Sequence, residues 1–143
     1  MISKQKYDLR EILAQPIPQI EELKFHQDEF KTFENEESIV ICRAKRNDIL
    51  DPFIFYIHIL HKVHPTIDNI TSYVNTHTRL EHISEEGFLD IIDKRLTSLK
   101  NKQDFKLNGI FIDAVILTNK WNDESLLCET TEEHVFFNWW TTA

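Results

Sequence analysis

Three histidines, His58, His61 and His64, recur at every third position through an apolar run. Imidazole suits both proton transfer and metal ligation near neutral pH. On a helix, His58 and His61 share a face and His64 turns away from it. A metal site favours i, i+4 pairs or further ligands converging from elsewhere. Asp51 and Asp68 flank the run, but each stands where a helix cap belongs, and no cysteine joins the set. The spacing therefore predicts packed or solvated histidines, with no metal and no cofactor. A second polar group, His77, Glu81, His82 and Glu85, contains the i, i+4 pairs His77–Glu81 and Glu81–Glu85. Acid–base catalysis needs a carboxylate orienting an imidazole inside a cleft. Nothing in the sequence builds a cleft here, so a solvated face is expected. Glu132, Glu133 and His134 lie between two strand-like runs, which predicts an exposed hairpin loop rather than a catalytic pair.

Carboxylates are the groups that the sequence concentrates. Residues 21–37 hold Glu21, Glu22, Asp28, Glu29, Glu34, Glu36 and Glu37 against only Lys24 and Lys31. Residues 123–133 hold Asp123, Glu124, Glu129, Glu132 and Glu133 with no base at all. The whole chain carries −8, so the remainder is slightly basic. A concentrated anionic face attracts a basic partner over distance and repels nucleic acid and anionic membrane. Lys94, Arg95, Lys100, Lys102 and Lys106 do not reverse this, because Asp90, Asp93 and Asp104 interleave with them. The candidate partner-facing residues are Asp123, Glu124, Glu129, Glu132 and Glu133, held by turns on a sheet, then Glu34, Glu36 and Glu37. Trp121 precedes the C-terminal acids and makes a mixed acidic–aromatic surface with them. The bland reading of both acid groups is solubility.

The elements that must position these groups are those of one small domain. The chain has 143 residues and 41% hydrophobic content, enough for a core without disulfides. Its only glycines are Gly87 and Gly109, which argues against phosphate-cradling loops and nucleophile elbows, since both need glycine for close backbone approach. Cys42 and Cys128 lie in apolar runs and read as small buried hydrophobes. The start, MISKQKYDLRE, is polar, and no run is long enough to span a bilayer, so a cytoplasmic protein is expected.

Tyr7 to Leu13 is loosely helical until Pro16 and Pro18 intervene. Ile20 to Phe30 fits a short amphipathic helix, and Ser38 to Ala44 (SIVICRA) a strand. Asp51-Pro52 resembles a helix start. FIFYIHILHKV then reads as a buried helix, although periodicity does not exclude a strand, and a further helical pattern follows Pro65. Ser84 to Lys100 is the clearest helix, with Phe88, Leu89, Ile91, Ile92, Leu96 and Leu99 on one stripe. Strand-like runs follow at Ile110–Leu117, Ser125–Glu129 and Val135–Thr141, with turn composition at Asn119–Glu124 and Thr130–His134. The fold class expected is α+β, with central helices packed on a C-terminal antiparallel sheet that Ser38–Ala44 can join. Trp139 and Trp140 then face opposite sides, one into the core with Phe137 and the other elsewhere.

In size, acidity, α+β pattern and the C-terminal order NGIFIDAVILTNKW, DESLLCET, HVFFNWWTTA, the chain resembles the immunity proteins of contact-dependent growth inhibition and related polymorphic toxin systems. The likeness covers the last third of the chain. It implies a stoichiometric, non-enzymatic inhibitor of a cognate toxin domain, of which many are nucleases with basic clefts. Two other classes stay open: a small histidine- or metal-dependent enzyme, and an adaptor subunit that docks through Trp139 or Trp140.

Overall fold

A computed structural model describes residues 2–3, 8–16, 19–32, 35–49 and 51–142. Helix α1 (Leu9–Ala14) starts where the Asp8 carboxylate accepts from the Arg10 and Glu11 N–H groups, and it stops short of Pro16. Strands β1 (Glu21–Phe25) and β2 (Glu37–Lys45) follow, separated by one turn of 3₁₀ helix at Gln27–Glu29. Helix α2 (Pro52–Val63) is capped by Asp51, whose carboxylate accepts from Phe53 N at 2.7 Å, with Pro52 at its first position. Helix α3 (Ile67–His77) is capped by Thr66, and helix α4 (Glu85–Leu96) by Ser84. The short β3 (Glu81–Ile83) lies between α3 and α4. The meander β4 (Phe111–Lys120), β5 (Asp123–Thr130) and β6 (Glu133–Thr141) completes the order.

The strands form one antiparallel sheet in the order β1-β2-β6-β5-β4-β3. Strand alternation sorts its side chains onto two covered faces. Cys42, Val115, Leu117, Leu127 and Phe136 pack against α1, α2 and α3. Ile39, Ile41, Ala114, Leu126, Cys128, Val135, Phe137 and Trp139 pack against α4 and the chain that follows it. The arrangement is therefore three layers, helices on both sides of a sheet. Helix α2 buries eight of its twelve residues because it lies over the middle of the sheet. Helix α4 buries only Phe88, Ile92 and Leu96, the i, i+4, i+8 stripe of a helix with one wet side.

The α+β reading, the helix over Phe53–Val63 and the sheet membership of Ser38–Ala44 agree with the structure. Ile20–Phe30 does not. In place of a helix it forms β1, with Leu23 opposite Ile41 and Phe25 opposite Ile39. Only Phe25 of β1 is buried, so a long-range ladder to β2 decides the conformation, not an apolar stripe. The turns are also tighter than composition suggests: they shrink to Trp121–Asn122 and Thr131–Glu132, and the flanking residues join strands.

Asn108-Gly109 steers the chain into β4. Gly109 has φ +85°, and a Cβ built there would sit 2.8 Å from Thr131 Oγ1 and 2.9 Å from Glu132 N. Thr131 closes this corner, its N–H donating to Ile110 O and its Oγ1 accepting from Ile110 N, both at 2.9 Å. A side chain at position 109 meets both the left-handed penalty and a clash. Gly109→Ala is expected to cost about 2 kcal/mol, measured as a loss of unfolding free energy in urea.

Candidate functional site

The sheet brings the start of β2, the end of β6, the start of β5 and the end of β4 to one edge of the molecule. Trp140 is the cross-strand partner of both Asp123 and Ser38, and Trp139 of both Glu124 and Ile39. Hydrogen bonds lock the corner. Thr141 N donates to Asn122 O at 3.0 Å, Thr141 Oγ1 to Glu36 O at 2.9 Å, and Thr142 N to Glu36 O at 3.0 Å. Glu36 N returns one to Thr142 Oγ1 at 3.0 Å. Residues from the two acid-rich stretches, Glu36 and Glu37 from one and Asp123 and Glu124 from the other, thereby converge around the Trp121–Asn122 turn.

The two faces of this corner differ. On the α4 side, Trp139 is buried and its indole N–H donates to Glu37 Oε2 at 2.7 Å. The Arg95 guanidinium lies 3.5 Å over its ring and donates from Nε to Glu124 Oε1 at 2.6 Å. This cation–π and ion-pair stack is closed on itself. On the other side, Trp140 is 37% exposed, and Trp121, in the turn, is 72% exposed. Asp123 sits beside them, half-buried, with Oδ1 accepting from Asn138 Nδ2 at 2.8 Å. Burial pushes its carboxyl pKa up, against the lowering effect of the Asn138 hydrogen bond and Lys120. Two exposed indoles and an underhydrated carboxylate thus stand at one end of the sheet.

The other C-terminal acids lie at the opposite end of β5, about 20 Å away at strand rise. Of the exposed Glu132, Glu133 and His134 loop that the sequence suggests, only Glu132 is exposed, and Glu129 is buried as well. Glu133 is 5% exposed and is gripped by Arg43 Nη1 at 2.9 and 2.7 Å; it also accepts from Asn108 N at 2.7 Å. Glu129 is 4% exposed and meets Arg46 Nε at 3.3 Å. Their positions in β6 and β5 turn them inward, where an unpaired carboxylate is not tolerated. Glu132 alone of this group stands exposed, in the turn. Arg43, Lys45, Asp48, Asn108, Glu132 and Glu133 contribute to the lining of an open cleft of about 470 Å³ here. Glu34 lies outside the described residues.

The histidines scatter. His58 is buried on α2, and burial lowers its pKa. His61 is exposed, and His64 packs against Tyr73 with ring centroids 4.8 Å apart. His77 packs at a tilt on the same Tyr73 at 5.2 Å, and Lys120 Nζ reaches its Nδ1 at 3.5 Å. Among the described residues, no three or more His, Cys, Asp or Glu side chains group so as to hold a metal. Cys42 and Cys128 are free thiols packed on opposite faces of the sheet, and burial pushes them to about 11 and about 12, which suppresses thiolate chemistry.

Two polar centres have pairings that the sequence reading, which sets His82 on a solvated face and His134 in an exposed loop, does not contain. His82 Nδ1 meets Asp113 Oδ1 at 3.1 Å, a pair that exists only because β3 docks on β4. His134 is fully buried: Nε2 bonds to Ile49 O at 2.5 Å, its ring packs on Phe55, and its Nδ1 has no partner among the described residues. Neither leaves a local signal, because both partners come from distant strands or loops. Among the described residues, no helix is long and apolar enough to cross a membrane. No family model, curated protein or solved structure matches the chain.

Proposed function

We propose that this chain is a binding protein of the immunity class, which neutralises a bacterial toxin domain by covering a basic groove. The observation that carries this reading is the pairing of exposed indoles with carboxylates at one edge of the sheet. Trp121 and Trp140 stand outside a core that holds other large aromatics, and Trp is among the residues most enriched at interface hot spots. Glu36 and Asp123 beside them make no ion pair among the described residues. Asp123, partly stripped of water, gains most from an arriving guanidinium.

The acidic contribution is narrower than the charge count implies. Glu124, Glu129 and Glu133 neutralise Arg95, Arg46 and Arg43 of the chain itself. Glu36, Asp123 and the more distant Glu132 are left to steer a cationic partner, and the indoles hold it. Charge then governs the association rate, and the aromatic anchors govern dissociation.

The test is co-expression with the product of the adjacent reading frame, followed by titration calorimetry and stopped-flow measurement of the association rate. A one-to-one complex is expected, with association slowed by added salt. Trp121→Ala and Trp140→Ala are each expected to weaken it by roughly 30-fold, the effect of a hot-spot side chain. Failure to recover a stoichiometric complex, or an affinity indifferent to both substitutions, overturns the proposal.

A further inference from the structure

The sheet has two edges. The β3 edge is three residues long, whereas β1 offers five, Glu21–Phe25, of which four are exposed. Among the described residues, no strand pairs with the outer side of β1. Such an edge is a template for another strand unless its side chains forbid pairing. Within Glu-Glu-Leu-Lys-Phe the central Glu-Leu-Lys does not forbid it; that segment is complementary to itself. Antiparallel pairing with a second copy about a two-fold axis normal to the sheet must centre on a residue facing its own copy. Centred on Glu22 it opposes two carboxylates, and centred on Lys24 two ammonium groups. Centred on Leu23 it places each Glu22 opposite Lys24 of the other chain, with leucine against leucine.

We propose that β1 pairs with β1 of a second copy in this Leu23-centred register, joining the two sheets into one. The layers support it. Leu23 is 50% exposed and lies on the same face as Phe25, the face covered by α4. Beside it is a groove of about 250 Å³ in which Leu23, Ile41, Leu96 and Phe105 form an apolar part, bordered by polar residues such as Arg43 and Asp104. The Leu23 of the incoming strand lands next to this groove and covers apolar surface that α4 leaves open. On the other face, the one ion pair of Glu22 among the described residues is the long contact to Lys62 Nζ at 3.7 Å, with both side chains partly exposed. Two Glu22–Lys24 pairs form per dimer, because the axis repeats each one. This surface is separate from the Trp121–Trp140 corner, so either reading stands without the other.

The test is sedimentation equilibrium of the purified chain over a concentration series, with circular dichroism as the control for folding. The expected result is a mass rising from one chain to two. Glu22→Lys and Lys24→Glu should each weaken association about tenfold by opposing like charges, and the double swap should restore it. Hydrogen exchange on the unmodified chain supplies an independent reading: amides 21–25 should gain protection as concentration rises. A monomer at every concentration overturns the proposal. So does a dimer whose β1 amides stay unprotected, or a double swap that fails to restore association.

Discussion

Replacing Arg43 with methionine is expected to destabilise the fold by about 3 kcal/mol, a loss of about 10 °C in Tm for a chain of this size. The partner left behind is the cause. Glu133 is buried, and its carboxylate takes both short contacts from Arg43 Nη1. Arg43 Nη2 also donates to Lys106 O at 2.8 Å, and the guanidinium lies 4.6 Å from the Phe105 ring centre. Methionine replaces the packing but not the charge. Glu133 then keeps the Asn108 N–H and little else against the cost of burial. Glu133→Gln in the same background removes the stranded charge, so the double variant should be more stable than the sum of its single effects predicts. Urea unfolding of the four proteins of this cycle is the measurement. An Arg43→Met protein within 1 kcal/mol of the parent, by about the margin expected of an exposed pair, contradicts the account.

The second large effect is loss of stability in mild acid. Desolvation dominates at His134 and lowers its pKa below the ordinary 6.5, outweighing the opposing influence of the Ile49 carbonyl and Glu129. Nε2 carries the proton that meets Ile49 O, so protonation would add an N–H at Nδ1, where the described residues offer no acceptor. As pH falls through 6.5, the unfolded chain takes up a proton that the native one refuses. Stability is therefore full above that pH and declines below it, by up to about 1.4 kcal/mol per pH unit for each such proton. His58, with the same direction of shift, adds to the same limb. His134→Gln should lower stability at pH 7.5 or so, because the ring packing on Phe55 is lost. It should also flatten the decline toward about pH 5, since one of the refused protons is gone. Equal acid slopes in the parent and the variant would contradict this assignment.

Where the sequence is readable, it is readable for local reasons. Asp51-Pro52 and Ser84 announce helices because a cap acts within one turn, and the Phe88–Ile92–Leu96 stripe needs nothing beyond its own spacing. The meander is visible because its strands are β-branched and aromatic with short connections. β1 and β3 are not visible, since each is a strand by virtue of a neighbour, β2 or β4, supplied from elsewhere in the chain. The candidate site divides the same way. Trp121 reads correctly as exposed because it lies in a turn. Glu129 and Glu133 carry the same local signals as Glu132, and only the strand register and distant arginines turn them inward. Carboxylate density in a sequence reports charge, and pairing in space decides how much of it a partner meets.

The hydrogen bond from Trp139 to Glu37 spans 102 positions, and the whole of β2 waits for β6. During synthesis, the β1–β2 hairpin emerges long before the strand that belongs beside it. Among the described residues, β6 is also the strand that joins that hairpin to β5, β4 and β3. Zipping is thus deferred to the last strand, and contacts so distant along the chain make for slow folding. Until then SIVICR presents a bare apolar ribbon, the kind of segment that chaperones shield in a nascent polypeptide.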